Sequence, residues 1–119
     1  MATIKSYTDI EQSKKLAEIL PLESADHFHI IGRIHTDGPK YEIIRSRNEV
    51  VETNKYWPCW SLAALINVLP SVTLDSSDDH HFRLRCMEKF TEWHDNAIDT
   101  CVEMIEKLHK QMIYDFNNS

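Results

Sequence analysis

Two groups of side chains in this chain have the types and spacing to do chemistry. His27 and His29 stand two residues apart in a β-prone segment, with His35 further along, and two histidines on one strand face can grip one metal ion. Asp78, Asp79, His80 and His81 form a second metal-capable cluster. Together they would suit a metal-dependent hydrolase. Neither group gains a third ligand from its spacing, however, and a polar strand face and an acidic loop account for both without an ion. The expectation is therefore a non-enzymatic protein with no cofactor and no catalytic residues. Other chemistries find less support. Gly32 and Gly38 are the two glycines, too few for a phosphate-cradling loop, and no serine sits in a nucleophile-elbow context. Cys59, Cys86 and Cys101 are odd in number, far apart and set among apolar neighbours, which reads as reduced and buried. Cys59, between Pro58 and Trp60, is the thiol in an irregular segment. A nucleophile there would need exposure, positive surroundings and a nearby histidine.

The element that must position everything else is the run from Tyr56 to Pro70, the most apolar of the chain. Pro58 discourages a helix from entering, Ser61 is placed to cap one, and Pro70 stops it. Trp60 and Leu65 have the spacing of a hydrophobic staple. Leu62, Leu65, Ile66 and Leu69 share a face, and Ala63, Ala64 and Val68 make the rest nearly apolar too. Such a helix belongs in the interior, covered on more than one side. It is far below the ~18 to 20 apolar residues that cross a bilayer, so no membrane contact is expected.

Before this hub, Thr8-Asp9-Ile10-Glu11 reads as a capping box opening a helix over Asp9 to Leu20, with Ile10, Leu16, Ala17 and Leu20 inward, ended by Pro21. Residues 22–26 could make one short helical turn. Residues 27–35 alternate as a half-buried strand with Phe28, Ile30, Gly32 and Ile34 inward and the histidines outward. A turn at Thr36-Asp37-Gly38-Pro39 would lead to a second strand over Tyr41 to Arg47, and residues 48–55 read as a loop. After the hub, Ser71 to Leu74 is β-prone and 75–79 has turn composition. Phe82, Leu84 and Cys86 alternate as a strand, and a reversal near Glu88-Lys89 returns the chain through Phe90 to Trp93, with a helix over Met87 to Trp93 as the alternative. Asp95 or Asn96 can cap a last helix with Ile98, Cys101, Val102, Ile105, Leu108 and Met112 inward, running to about Tyr114. Glu103/Lys107 and Glu106/Lys110 brace its outside, and residues 117–119 should fray. The sum is an α+β fold: two longer helices and a short buried central helix on a small, mainly antiparallel sheet. All of residues 1–119 fit one globular domain.

Thirteen basic against nineteen acidic residues give a formal net charge of -6, and most of the excess lies from Ser61 onward. This opposes phosphate backbones, so nucleic acid is not an expected partner. No secretion signal is apparent, and the reduced cysteines suit the cytoplasm. Trp57, Trp60, Phe90, Trp93, Tyr114 and Phe116 are generous for so small a core, and such side chains anchor interfaces. They point to a protein partner, basic by charge complementarity, and to self-association as a homo-oligomer. A narrower alternative is an acidic DNA-mimic inhibitor, although ordinary solubility explains the charge equally well.

Three blocks, DIEQSKKLAEILPLESAD at 9–26, the hub PCWSLAALINVLP and the run DNAIDTCVEMIEKLH, together resemble a family of small proteins of Bacteroides and related gut bacteria, often encoded in prophages or mobile elements. The likeness spans most of the chain, with the hairpin region between looking variable. No activity, cofactor or catalytic residue is assigned to that family, so the resemblance implies a cytoplasmic accessory protein and carries over no residue roles.

Overall fold

A computed structural model describes residues 5–33, 40–46, 56–77 and 81–116. The turn expected at 36–39, the loop at 48–55, the fraying end at 117–119, and His35, Asp78, Asp79 and His80 all lie outside them. Among these residues the architecture is α+β, with three α-helices and two three-stranded antiparallel sheets in place of the one sheet expected.

Helix α1 covers Ile10–Ile19. Its capping box is one residue later than the sequence pattern: Asp9 accepts from the Gln12 amide at 2.8 Å, and Gln12 Oε1 accepts from the Asp9 amide at 3.1 Å. Thr8 is not free to cap, because the hub claims it. Its amide donates to the Trp60 carbonyl at 3.0 Å and its hydroxyl accepts from the Trp60 amide at 3.1 Å. The shift turns Ser13, Leu16 and Ile19 inward, with Leu20 just beyond, while Ala17 is exposed. Leu20 is extended because Pro21 follows it. A 3-10 turn at Leu22–Ser24 then leads into the first sheet.

That sheet has the order β2-β1-β3, with β1 at His27–Arg33, β2 at Lys40–Ser46 and β3 at Tyr56–Cys59. Helix α2, Leu62–Val68, follows at once, capped by Ser61, whose hydroxyl accepts from the Ala64 amide at 3.2 Å. Asp26 holds Ser61 in turn, accepting from its amide at 2.9 Å and from its hydroxyl. This helix is not enclosed as expected. Leu65 is fully buried, while Ala63, Ile66 and Asn67 are exposed. A two-turn helix lying against α3 covers one side only, and its alanines leave little apolar area to hide. The buried centre of the hub is Trp60, fully enclosed, with its indole N–H donating to Ser24 Oγ at 2.9 Å.

The second sheet has the order β4-β5-β6: Val72–Ser76, Phe82–Cys86 and Lys89–Phe90. Met87 and Glu88 make the tight reversal with φ of 50° and 66°, the two left-handed residues that a two-residue hairpin turn demands. Helix α3, Ala97–Lys110, starts at Asn96, which accepts from the Asp99 amide at 2.8 Å. It stops a turn before the expected end. Ile113 N bonds to Leu108 O at 2.9 Å and Met112 N to His109 O at 3.0 Å, with Met112 left-handed at φ 56°. This is a Schellman closure, which throws Met112 out to 91% exposure instead of placing it on the buried stripe. The core gathers Leu16 and Ile19 of α1, Trp60, Leu65 and Leu69 of the hub, Leu84 and Cys86 of β5, and the inner face of α3 from Ile98 to Leu108.

Candidate functional site

The histidines of β1 have structural partners. His29 is buried, and its Nε2–H donates to the Thr8 carbonyl at 2.6 Å, so the expectation of a solvated histidine face fails there. The cause is the backbone of the segment before α1, which crosses this part of the sheet and needs a donor. His27 stacks at a tilt on Tyr7, ring centroids 4.5 Å apart, and its Nδ1 lies 3.0 Å from Asp26 Oδ1, off the line of a hydrogen bond. His81 is exposed. Among the described residues, no group of three or more His, Cys, Asp or Glu side chains is placed to hold a metal ion. Cys59, Cys86 and Cys101 are all buried. Burial pushes the Cys101 thiol up to about 12 and raises that of Cys86, which suits inert core thiols.

A polar cleft of about 360 Å³ lies where the start of α1 meets α3, lined by Lys5, Asp9, Gln12, Lys15, His94, Asp99, Val102, Glu103 and Glu106. Asp99 is its fixed point. Lys5 Nζ donates to it at 2.8 Å, Gln12 Nε2 at 2.7 Å and Asn96 Nδ2 at 2.9 Å. Burial alone would raise its carboxyl, but these three donors and the Lys5 charge outweigh that and hold it below the ordinary range. Lys5 shows the reverse balance: desolvation pulls it down, and Asp99 and Asp9 raise it overall. At the rim His94 Nε2 donates to Glu103 Oε1 at 2.6 Å, while Glu103 also accepts from the Glu92 amide and pairs with Lys107 at 3.6 Å. A histidine–carboxylate pair can move a proton, but the lining has no serine, threonine or cysteine to activate. The arrangement pins α1 to α3. It also ties up acids that an acidic mimic of DNA would need to display.

The outer face of the second sheet is different in kind. The register sets Asp75 opposite Arg83, and both Thr73 and Phe90 opposite Arg85, so these side chains share the face turned away from α3. Arg83 lies between two aromatic rings, its guanidinium carbon 5.0 Å from the centre of Phe90 and 4.7 Å from that of Trp93. Its Nη2 reaches Asp75 at 3.3 Å, and its Nε is covered without a hydrogen-bond partner. Phe90 and Trp93 remain 46% and 44% exposed, with Met87 in the turn equally open. Cation–ring contacts and an ion pair thus fix two large rings in place at the surface.

Of the interface candidates read from the sequence, Phe90 and Trp93 are on this patch. Trp57 is exposed on β3 of the other sheet, with Lys14 Nζ 5.1 Å from its ring centre. Tyr114 is half-buried and meets Phe116 edge-on at 4.9 Å. Trp60 and Phe116 are core residues, 0% and 4% exposed, and leave the set, because the hub and the end of α3 need their bulk inside. The sequence reading missed Arg83 as the organiser. Its alternation with Phe82 and Leu84 already placed it outward, but its neighbours across the strands were not legible. Comparison with models of protein families, with curated proteins and with solved structures finds no match. Among the described residues, no helix is long and apolar enough to cross a membrane.

Proposed function

We propose that this chain is a small non-enzymatic accessory protein that acts by docking on another protein through the outer face of its second sheet. The observation that carries the reading is the clamped pair of exposed rings, Phe90 and Trp93, on either side of Arg83. Trp and Arg are enriched at binding hot spots and Phe at interfaces generally, and rings already held in position lose little freedom on binding. Arg83 is paired with Asp75, and the exposed Arg85 of the same face is offset by the exposed Glu88 and Glu92, so the rings carry the contact while the net charge of -6 favours the approach of a basic partner. The resemblance to proteins of phages and mobile elements supports a cytoplasmic setting for such an accessory role.

Affinity capture from the native host cell, run in parallel with the wild type and with Phe90→Ala/Trp93→Ala, tests this. A partner held by the wild type and lost by the variant supports the reading, provided both proteins melt alike. A partner retained equally by both would refute the assignment to this face. Wild type that captures nothing but turns over a compound in a broad hydrolase screen would restore the enzyme alternative.

A further inference from the structure

We infer that the β4 edge of the second sheet, unpaired among the described residues, pairs with the same edge of a second copy, joining two protomers into one continuous sheet. The pairing is made by the backbone of the β4 edge and draws on the outer face only for Asp75 and Arg85, so the Trp93→Ala variant below separates it from the docking reading.

The direction of the backbone groups follows from one hydrogen bond. Ser77 N donates to His81 O at 2.9 Å, and these two residues continue the β4–β5 register by one step. In an antiparallel ladder the bonded pairs alternate, so Asp75 and Thr73 bond toward β5 while Val72, Leu74 and Ser76 point their N–H and C=O groups outward. The far side of β5 agrees with this parity, since Phe82 exchanges bonds with His94 there and Leu84 accepts from Thr91. Among the described residues nothing bonds to the outward groups of Val72, Leu74 and Ser76. The strand carries no proline, lysine or bulge, three of the devices that keep such an edge from pairing, and its one charge, Asp75, is paired with Arg83.

What selects a second copy as the occupant is self-complementarity. A two-fold axis through Leu74, perpendicular to the sheet, sets Leu74 opposite Leu74 of the second copy and Val72 opposite its Ser76. These are the outward-facing residues, so the seam closes with about six backbone hydrogen bonds. Leu74, 37% exposed at the rim of the core, is covered by its own equivalent. The same operation sets Thr73 opposite Asp75 of the second copy. Arg85 is exposed and makes no ion pair among the described residues, and it sits in that row one strand behind Thr73. The small Thr73 lets Arg85 lean across about 10 Å of Cα separation toward the second copy's Asp75, and the two-fold axis makes this charge pairing twice. A seam of one short strand is at the low end of interface sizes, so the dimer is reversible and concentration-dependent.

Sedimentation velocity across a concentration series, with the full chain, tests the pairing. The wild type is expected to move from monomer to dimer as concentration rises. Leu74→Lys, which brings two like charges together on the axis, is expected to weaken the dimer at least tenfold, and Arg85→Glu several-fold. Thermal melts at monomeric concentration verify that both variants fold. Trp93→Ala is expected to dimerise like the wild type, which separates this seam from the docking face. Register is tested by cysteine substitution: Leu74→Cys should cross-link to itself with a short bifunctional thiol reagent, whereas Val72→Cys, about 14 Å from its equivalent in this register, should not. A strict monomer at every concentration overturns the inference. So does a dimer unmoved by Leu74→Lys and Arg85→Glu, or a monomer that loses a captured host protein on Leu74→Lys, since the edge would then serve a foreign strand.

Discussion

Thr8→Val is the sharpest probe of the hub, because it removes a hydroxyl while keeping the volume. In the native protein that hydroxyl accepts the Trp60 amide at 3.1 Å and shares a hydrogen bond with the Ser13 hydroxyl at 2.8 Å. All three residues are at most 1% exposed, so water cannot replace it. An orphaned buried amide costs about 1–3 kcal/mol. Ser13 can turn back toward the Asp9 carbonyl, which its own amide already uses, so its share is smaller, about 0.5–1.5 kcal/mol. The expected loss is about 1.5–4.5 kcal/mol from a total stability of roughly 6–18 kcal/mol for a chain of 119 residues. With an unfolding entropy near 2.1 cal/mol/K per residue, Tm should fall by about 6–18 °C. Urea unfolding followed by tryptophan fluorescence gives the free energy directly. Thr8→Ser keeps the hydroxyl and should stay within about 1 kcal/mol of the wild type. Adding Ser13→Ala to Thr8→Val should recover about 0.5–1 kcal/mol, because the stranded hydroxyl is gone. If Thr8→Val lost less than about 0.5 kcal/mol, or Thr8→Ser lost as much as Thr8→Val, the hub would not depend on this hydroxyl.

Three further outcomes are expected. Met112→Gly should raise stability by about 1 kcal/mol in the same urea titration, since the Schellman position is left-handed and the methionine is almost wholly exposed. Leu65→Ala should cost about 2–5 kcal/mol, and a variant melting like the parent would show that the hub helix is not packed as described. Asp99 has a folded pKa below its ordinary value of 3.8, so its contribution is fully present above that value and drains away as pH falls through the folded one. Asp99→Asn should therefore be less stable at neutral pH and show a shallower loss between pH 5 and pH 2 in acid titrations followed by circular dichroism.

Local signals carried much of this fold. Pro21 and Pro70 marked helix ends because the residue before a proline is forced out of helical geometry wherever it lies, and Leu20 and Leu69 are both extended. The alternation of Phe82, Leu84 and Cys86 gave a strand, and Asn96 gave a cap, for equally local reasons. The failures all involve partners distant in sequence. Thr8 has the better local context for a cap, but Trp60, 52 residues away, holds it elsewhere. His29 sits on what reads as a polar face until the segment before α1 covers it. The division into two sheets was not legible either, because strand propensity says nothing about which strands adjoin. The surface site was half visible: the aromatic surplus was apparent, but which rings stay outside depended on Trp60 and Phe116 filling the core.

The clamp of Lys5 and Gln12 on Asp99 joins the first helix to the third, and this sets the order in which a growing chain can fold. Leu16, Ile19 and Leu20 leave the ribosome roughly 90 residues before Leu108, the last α3 side chain that covers them. At typical elongation rates that is a wait of about 5–18 s, far longer than a helix or hairpin needs to form. The first sheet can assemble in that interval and, with Trp60, cover part of the apolar stripe of α1, yet the side that meets α3 stays open. A product released before α3 is complete would keep that side open to chaperones and proteases. The core therefore distinguishes finished chains from interrupted ones.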